Sequence, residues 1–150
     1  MKKFKAAVIG CGKISERHLD AIVALDTVDL VAVCDVKADR AQKTAEKYSV
    51  KAYSDYIELF ESEQLDAVHI CLPHYLHSKV ACYAFEKGVN VLTEKPMDVD
   101  LQSAENAVKK GYIFFPMAGS ASETARQKFA LDRIEGKKWV KDNPPINKRL

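Results

Sequence analysis

No run of residues in this chain is long and apolar enough to span a bilayer, and the N terminus carries no apolar segment of signal-peptide length. The cytoplasm is therefore the expected compartment. Charge of one sign is equally scarce. The 23 Lys and Arg stand against 21 Asp and Glu, a formal net charge of +2, too small to point to nucleic acid or a membrane surface as partner. The four cysteines, Cys11, Cys34, Cys71 and Cys82, show no C-x-x-C spacing and read as small buried thiols in a reducing compartment. His74 and His77 are near neighbours, but no Cys, Asp or Glu cluster completes a site around them, so no metal is expected.

What is present suits an ordinary globular chain. One hundred and fifty residues fit one domain with a real core, at 47% hydrophobic and 29% charged residues. The charge is uneven: residues 111–150 hold eight Lys and Arg against four Asp and Glu, so the tail is the basic part.

The most informative stretch is Ala6-Ala7-Val8-Ile9-Gly10-Cys11-Gly12-Lys13-Ile14-Ser15. It reads as a buried strand, a glycine turn and the start of a helix. Gly10 permits the tight turn, and Gly12 lets backbone N–H groups approach a phosphate with no Cβ in the way. The next helix offers unpaired N–H donors and the positive end of its dipole. Ser15 stands at the third glycine position of the dinucleotide fingerprint, so the match is to a relaxed pattern, and a glycine turn alone suits many strand–helix junctions. A second apolar run, Leu30-Val31-Ala32-Val33-Cys34, ends in Asp35, at the distance where dinucleotide folds set a carboxylate on the adenosine ribose hydroxyls. That carboxylate repels a 2′-phosphate and so favours NAD. Lys37 and Arg40 lie close by and keep NADP open.

Further along, apolar periodicity predicts helices and strands in alternation. The first helix is expected to bury Ile14, His18, Ala21, Ile22 and Leu25, with His18 as a packed or edge residue. A second, Ala38 to Tyr48, is expected to turn Ala38, Ala41, Ala45 and Tyr48 inward. Ala52-Tyr53 forms a short strand, and Asp55 with Glu58 forms a capping box for a helix ending near Ser62. A fourth strand, Asp66 to Pro73, leads through a short loop to a helix carrying Val80, Ala81, Ala84 and Phe85, with Gly88 at its C′ position. A fifth, Val89 to Thr93, precedes Glu94-Lys95-Pro96. Asp100 then caps a helix with Leu101, Ala104 and Val108 inward, ended by Gly111. Such alternation means right-handed βαβ crossovers and an α/β, Rossmann-like, doubly wound parallel sheet with helices on both faces. Gly10, Asp35, Pro73 and Lys95 all fall at strand C-terminal ends, where such sheets bind ligands.

These residues together resemble the N-terminal domain of the Gfo/Idh/MocA oxidoreductases, from about Lys5 to Gly111. The likeness rests on Gly10-Cys11-Gly12-Lys13-Ile14-Ser15, Cys34-Asp35, Leu72-Pro73 with His77, the Gly88–Leu92 approach and Glu94-Lys95-Pro96. It implies that Gly10, Gly12, Lys13 and Ile14 contact the pyrophosphate of NAD or NADP and that Asp35 meets the adenosine ribose. It further implies that Leu72, Pro73 and His77 border the path from adenine to nicotinamide, that Glu94 and Lys95 lie near the nicotinamide ribose, and that Pro96 follows a cis bond. The family commonly has Asn where this chain has His74. Oxidising a sugar or polyol alcohol requires loss of a hydride from carbon and a proton from oxygen. A lysine ammonium beside that oxygen, Lys95 here, stabilises the developing alkoxide or relays its proton.

Past Gly111 the likeness ends. The family continues with a sixth strand, an Arg-containing segment and a large α+β domain with most substrate contacts, and this sequence carries no counterpart of that domain. Tyr112-Ile113-Phe114-Phe115 suits a sixth strand cut short by Pro116, Ser122 to Ile134 a helix, and residues 142–150 an extended or disordered end. The expected division is a dinucleotide-binding domain over 1–118 and a divergent, partly helical basic tail over 119–150. Either the gene product is truncated or frame-altered, or the domain stands alone with a new arm. Three functions are open: the cofactor half of a sugar or polyol dehydrogenase, a non-catalytic dinucleotide-binding module or sensor, and a relative of the NAD-dependent glycosidases. Strand edges and apolar helix faces left without the second domain also predict self-association, as a homo-oligomer, or poor solubility.

Overall fold

The computed structural model describes residues 3–111 and 113–114. Its element order is β1 (Phe4–Ile9), α1 (Ser15–Val23), β2 (Val28–Cys34), α2 (Ala38–Tyr48), β3 (Lys51–Tyr53), α3 (Tyr56–Ser62), β4 (Ala67–Ile70), α4 (His77–Glu86), β5 (Asn90–Thr93), α5 (Leu101–Lys110) and β6 (Ile113–Phe114). A 3-10 turn over His74–Leu76 leads into α4. The strands are all parallel, in the order β3-β2-β1-β4-β5-β6. This is the doubly wound arrangement, in which the chain moves outward from β1 to β3, then returns to β4 on the other side. The connections after β1 and β4 diverge there and open a crevice at the strands' carboxyl ends.

Side chains alternate across this sheet with period two. Ala7, Ile9, Val68 and Ile70 share one core with Leu59 and Phe60 of α3 and with Val80, Ala81 and Ala84 of α4. His69 points the opposite way and meets His18 of α1, so helices cover both faces. The central strands are short aliphatic runs because both their faces are buried.

The helix ends follow local chemistry. Asp55 caps α3 by accepting from the Ile57 N–H at 2.8 Å, and Asp100 caps α5 by accepting from the Ser103 N–H at 2.7 Å. Gly88, at φ +74°, takes the left-handed C′ position after α4. Gly111 ends α5 for another reason: its backbone is extended, and a Cβ there would lie 2.6 Å from the Phe85 ring.

Three buried faces differ from their expected positions. The inward row of α1 is Ser15, His18, Leu19 and Ile22, while Ile14 is the N-cap and 37% exposed. The helix begins one residue later than the stripe assumed, which rotates the row. In α2 only Ala41 and Ala45 are buried, since Ala38 is the first helical residue and stands off the sheet. Leu101, first in α5, is 75% exposed, and Ala107 is buried instead. The expected sixth strand is seen as Ile113–Phe114, paired with Val91 and Leu92 of β5. The helix expected over 122–134 and the extended end over 142–150 lie outside the described residues.

Candidate cofactor site

The glycine turn after β1 is built where three strands end. Gly10 has φ +95°, and its N–H donates to the Cys34 carbonyl at 2.7 Å. A Cβ on Gly10 would sit 2.3 Å from the Cys71 carbonyl oxygen, so neither the dihedral nor the space admits another residue. At Gly12 a Cβ would meet nothing within 4 Å. That side of the turn faces open space, which a side chain at this position would enter. Ser15, in the third glycine position, is buried and folds its hydroxyl back onto the Gly12 carbonyl at 2.6 Å. No side chain caps α1, which leaves its positive end to the turn. Lys13 and Ile14 are exposed at its rim.

Asp35, at the end of β2, is 6% exposed and closes onto this turn. One carboxylate oxygen accepts from the Cys11 N–H at 2.9 Å, and the other accepts from the Lys37 N–H at 2.9 Å. The Arg40 guanidinium lies 3.3 Å from the first oxygen. The expected ribose partner thus also braces the turn between the two glycines. An open cleft of about 280 Å³ borders Cys11, Gly12, Lys13, Ser15 and Thr44. A shallower one of about 600 Å³, beyond Asp35, is lined by Lys37, Arg40 and Lys43.

The loops after β4 and β5 join the same edge. Leu72 packs over Gly10, with Cδ2 3.2 Å from where a Cβ would be, and Pro73 is exposed beside it. The Glu94 N–H donates to the Ile70 carbonyl at 3.1 Å. Lys95 is exposed, and the Lys95–Pro96 peptide is cis. His77, expected along the cofactor path, is fully buried at 0% exposure. Its Nε2 lies 2.7 Å from the Leu72 carbonyl and its Nδ1 2.7 Å from the Pro96 carbonyl. Carbonyls only accept, so each of these contacts calls for an N–H on the ring nitrogen that faces it. His77 clamps the two loops from beneath and reaches the crevice through their backbone. The side chains expected to line the path are thus brought to one end of the sheet, with His77 underneath them.

Two residues beyond the expected set belong here. His18 reaches from α1 to Glu94, with Nε2 2.9 Å from Oε1, and its Nδ1 lies 3.1 Å from Nδ1 of His69. Burial, and then the neighbouring His18, push His69 down from 6.5 to about 3, so it stays neutral near pH 7. Its signal in the sequence is one imidazole inside Ala67-Val68-His69-Ile70-Cys71, an otherwise aliphatic strand. Burial also pushes the Cys11 thiol up to about 11 and Cys34 up to about 12, which keeps both protonated and unreactive. Among the described residues no group of three or more His, Cys, Asp or Glu could hold a metal ion, and no described helix is long and apolar enough to cross a membrane.

Comparison with known proteins identifies relatives of this domain. The model of an oxidoreductase family with an NAD-binding Rossmann fold matches residues 4–110. D-apiose dehydrogenase of Paraburkholderia graminis is 32% identical over 109 residues, covering 72% of this chain and 29% of that protein. The crystal structure of myo-inositol 2-dehydrogenase from Lactobacillus plantarum superposes with a TM-score of 0.70 at 28% identity, over 76% of this chain and 36% of that one. The WlbA dehydrogenase of Bordetella pertussis, in complex with NADH and UDP-GlcNAcA, superposes with a TM-score of 0.71 at 27% identity, over 73% and 34%. The chain spans about a third of the length of these relatives.

Proposed function

The chain belongs to the Gfo/Idh/MocA oxidoreductase family through its NAD-binding Rossmann domain, and from that premise we propose that it holds NAD(H) for hydride exchange with a sugar or polyol hydroxyl. The supporting observation is the open side of Gly12 beside a buried Asp35 that is hydrogen-bonded into the same turn. In this reading Gly10, Gly12, Lys13 and Ile14 receive the pyrophosphate, and Asp35 receives the adenosine ribose. Leu72 and Pro73 border the way to the nicotinamide, and Glu94 and Lys95 attend its ribose. The bound nicotinamide supplies the hydride acceptor or donor. Lys95 stabilises charge on the substrate oxygen or takes its proton, and its exposed position leaves it free to reach a substrate above the crevice.

The match to a third of each relative's length supports a division of labour, with residues 1–118 as the cofactor domain and 119–150 as a separate basic tail. The groups that choose the substrate carbon then come from outside these 150 residues, and the isolated chain binds without turning over. The second reading, a non-catalytic dinucleotide sensor, rests on the same turn at Gly12 and Asp35. Free, mostly buried cysteines suit a reducing cytoplasm, and exposed Tyr75, Val99 and Leu101 favour self-association.

Calorimetric titration with NADH and NADPH tests the proposal. Saturable binding that prefers NADH and disappears in Gly12→Trp is the expected result. No heat at millimolar dinucleotide refutes it. In a turnover screen with polyols, robust activity of the purified chain would exclude the sensor and would also overturn the expectation that the isolated chain binds without turning over.

A further inference from the structure

We infer that His18 and His69 are positioning residues that fix the Glu94 carboxylate at the nicotinamide end of the crevice; this rests on the cofactor reading above. Three elements distant in sequence meet here: α1, which begins at the glycine turn, the central strand β4, and the Glu94-Lys95-Pro96 loop after β5. His69 pairs in register with Val8 and Leu92, and its ring meets that of His18 edge to face, with centroids 5.2 Å apart at 83°. Both imidazoles are 7% exposed, and the Glu94 side chain is 22% exposed.

Donor and acceptor capacity fixes the order of the chain. An ionised carboxylate only accepts, so the 2.9 Å contact is His18 Nε2–H donating to Glu94 Oε1. One proton occupies the 3.1 Å gap between the two Nδ1 atoms. A neutral His69 supplies it from its own Nδ1, and His18 then accepts there while donating at Nε2. The pair locks the His18 ring, and the ring holds one oxygen of Glu94. The other oxygen and the partly exposed edge of the carboxylate are presented at the crevice, where the nicotinamide ribose offers hydroxyl donors. His18 is itself 7% exposed, so its end of this contact is shielded from water. This bond ties α1, which starts at the glycine turn, to the loop that carries Lys95.

The test uses the 150-residue chain and two probes, NADH and ADP, which lacks the nicotinamide ribose. His18→Leu is expected to weaken NADH about tenfold, the scale of one charge-assisted hydrogen bond, while ADP binding stays within about twofold. His18→Gln, whose amide reaches the Nε2 position, restores most of the loss. The double variant His18→Leu/Glu94→Ala binds NADH no worse than Glu94→Ala alone. Equal loss of NADH and ADP, or full additivity in the double variant, overturns the inference. If the parent chain binds neither probe, the cofactor reading fails by itself. The positioning claim is then read by NMR: a slowly exchanging His18 ring N–H that disappears in Glu94→Ala upholds it, and a ring signal indifferent to that change overturns it.

Discussion

Acidification from pH 7.5 to pH 5 destabilises this domain through His69. The ring sits in the central strand with its value pushed down from 6.5 to about 3, by burial first and by His18 second. In the unfolded chain it titrates near the ordinary value. Between those limits the unfolded state binds a proton that the folded state refuses, so stability rises with pH there and is lost as pH falls below about 6.5. Above that pH the residue contributes nothing to the pH dependence. Each pH unit inside the window is worth about 1.4 kcal/mol, so moving from 6.5 to 5 costs about 2 kcal/mol. That is a large share of a typical domain's stability of about 5–15 kcal/mol, and it lowers a urea midpoint by about 1 M. The facing groups are His18 and Glu94, which remain in the comparison variant His69→Asn. Its amide nitrogen lies near the Nδ1 position and does not titrate. Asp98 and Asp100 are held below the ordinary carboxylate range. Burial raises Asp98, but hydrogen bonds from Asp100, Ser78 and Val99 outweigh it, and bonds from Ser103 lower Asp100. Their contributions fade at lower pH and cancel between parent and variant. Urea unfolding at pH 7.5, 6 and 5 is the assay. Parallel pH dependences for parent and His69→Asn would show that the ring titrates freely and refute the reasoning.

Four substitutions probe other parts of the structure. Gly10→Ala brings a Cβ to within 2.3 Å of the Cys71 carbonyl at φ +95° and costs about 3 kcal/mol or more, seen as a fall in thermal midpoint; Gly12→Ala, with open space at its Cβ, keeps the midpoint and weakens NADH. Leu59→Ala, at 0% exposure against the sheet, costs about 2–5 kcal/mol in urea unfolding and leaves NADH affinity intact where the fold persists. Asp35→Asn retains an oxygen for the Cys11 N–H but removes the charge, and competition binding should show the preference for NADH over NADPH falling about tenfold or more; an unchanged ratio separates Asp35 from cofactor choice.

Local patterns carried the fold because each has a local cause. The aliphatic runs, Asp55 and Asp100 as caps, and Gly88 as a left-handed terminator depend on neighbours within a few residues. The helix faces were less legible at their first turns. Ile14 and Leu101 are apolar at the right period, yet they stand at helix starts where the sheet does not reach them. Carboxyl-end loops gather because the parallel topology puts them there. Their bracing was not legible, since it consists of single contacts between distant positions. Asp35 reaches Cys11 across 24 residues, His18 reaches His69 across 51 and Glu94 across 76. His77 shows the same limit, because its neighbours in sequence do not reveal that both ring nitrogens face carbonyls.

The central claim, one crevice at the strands' carboxyl ends that receives a dinucleotide, is tested most directly by mapping amide shifts of the ¹⁵N-labelled chain during an NADH titration. The account predicts that Cys11, Gly12, Lys13 and Ile14 shift together with Asp35 and with Glu94 and Lys95, along one saturation curve. Shifts confined to a surface away from these loops, or none at millimolar NADH, would contradict it.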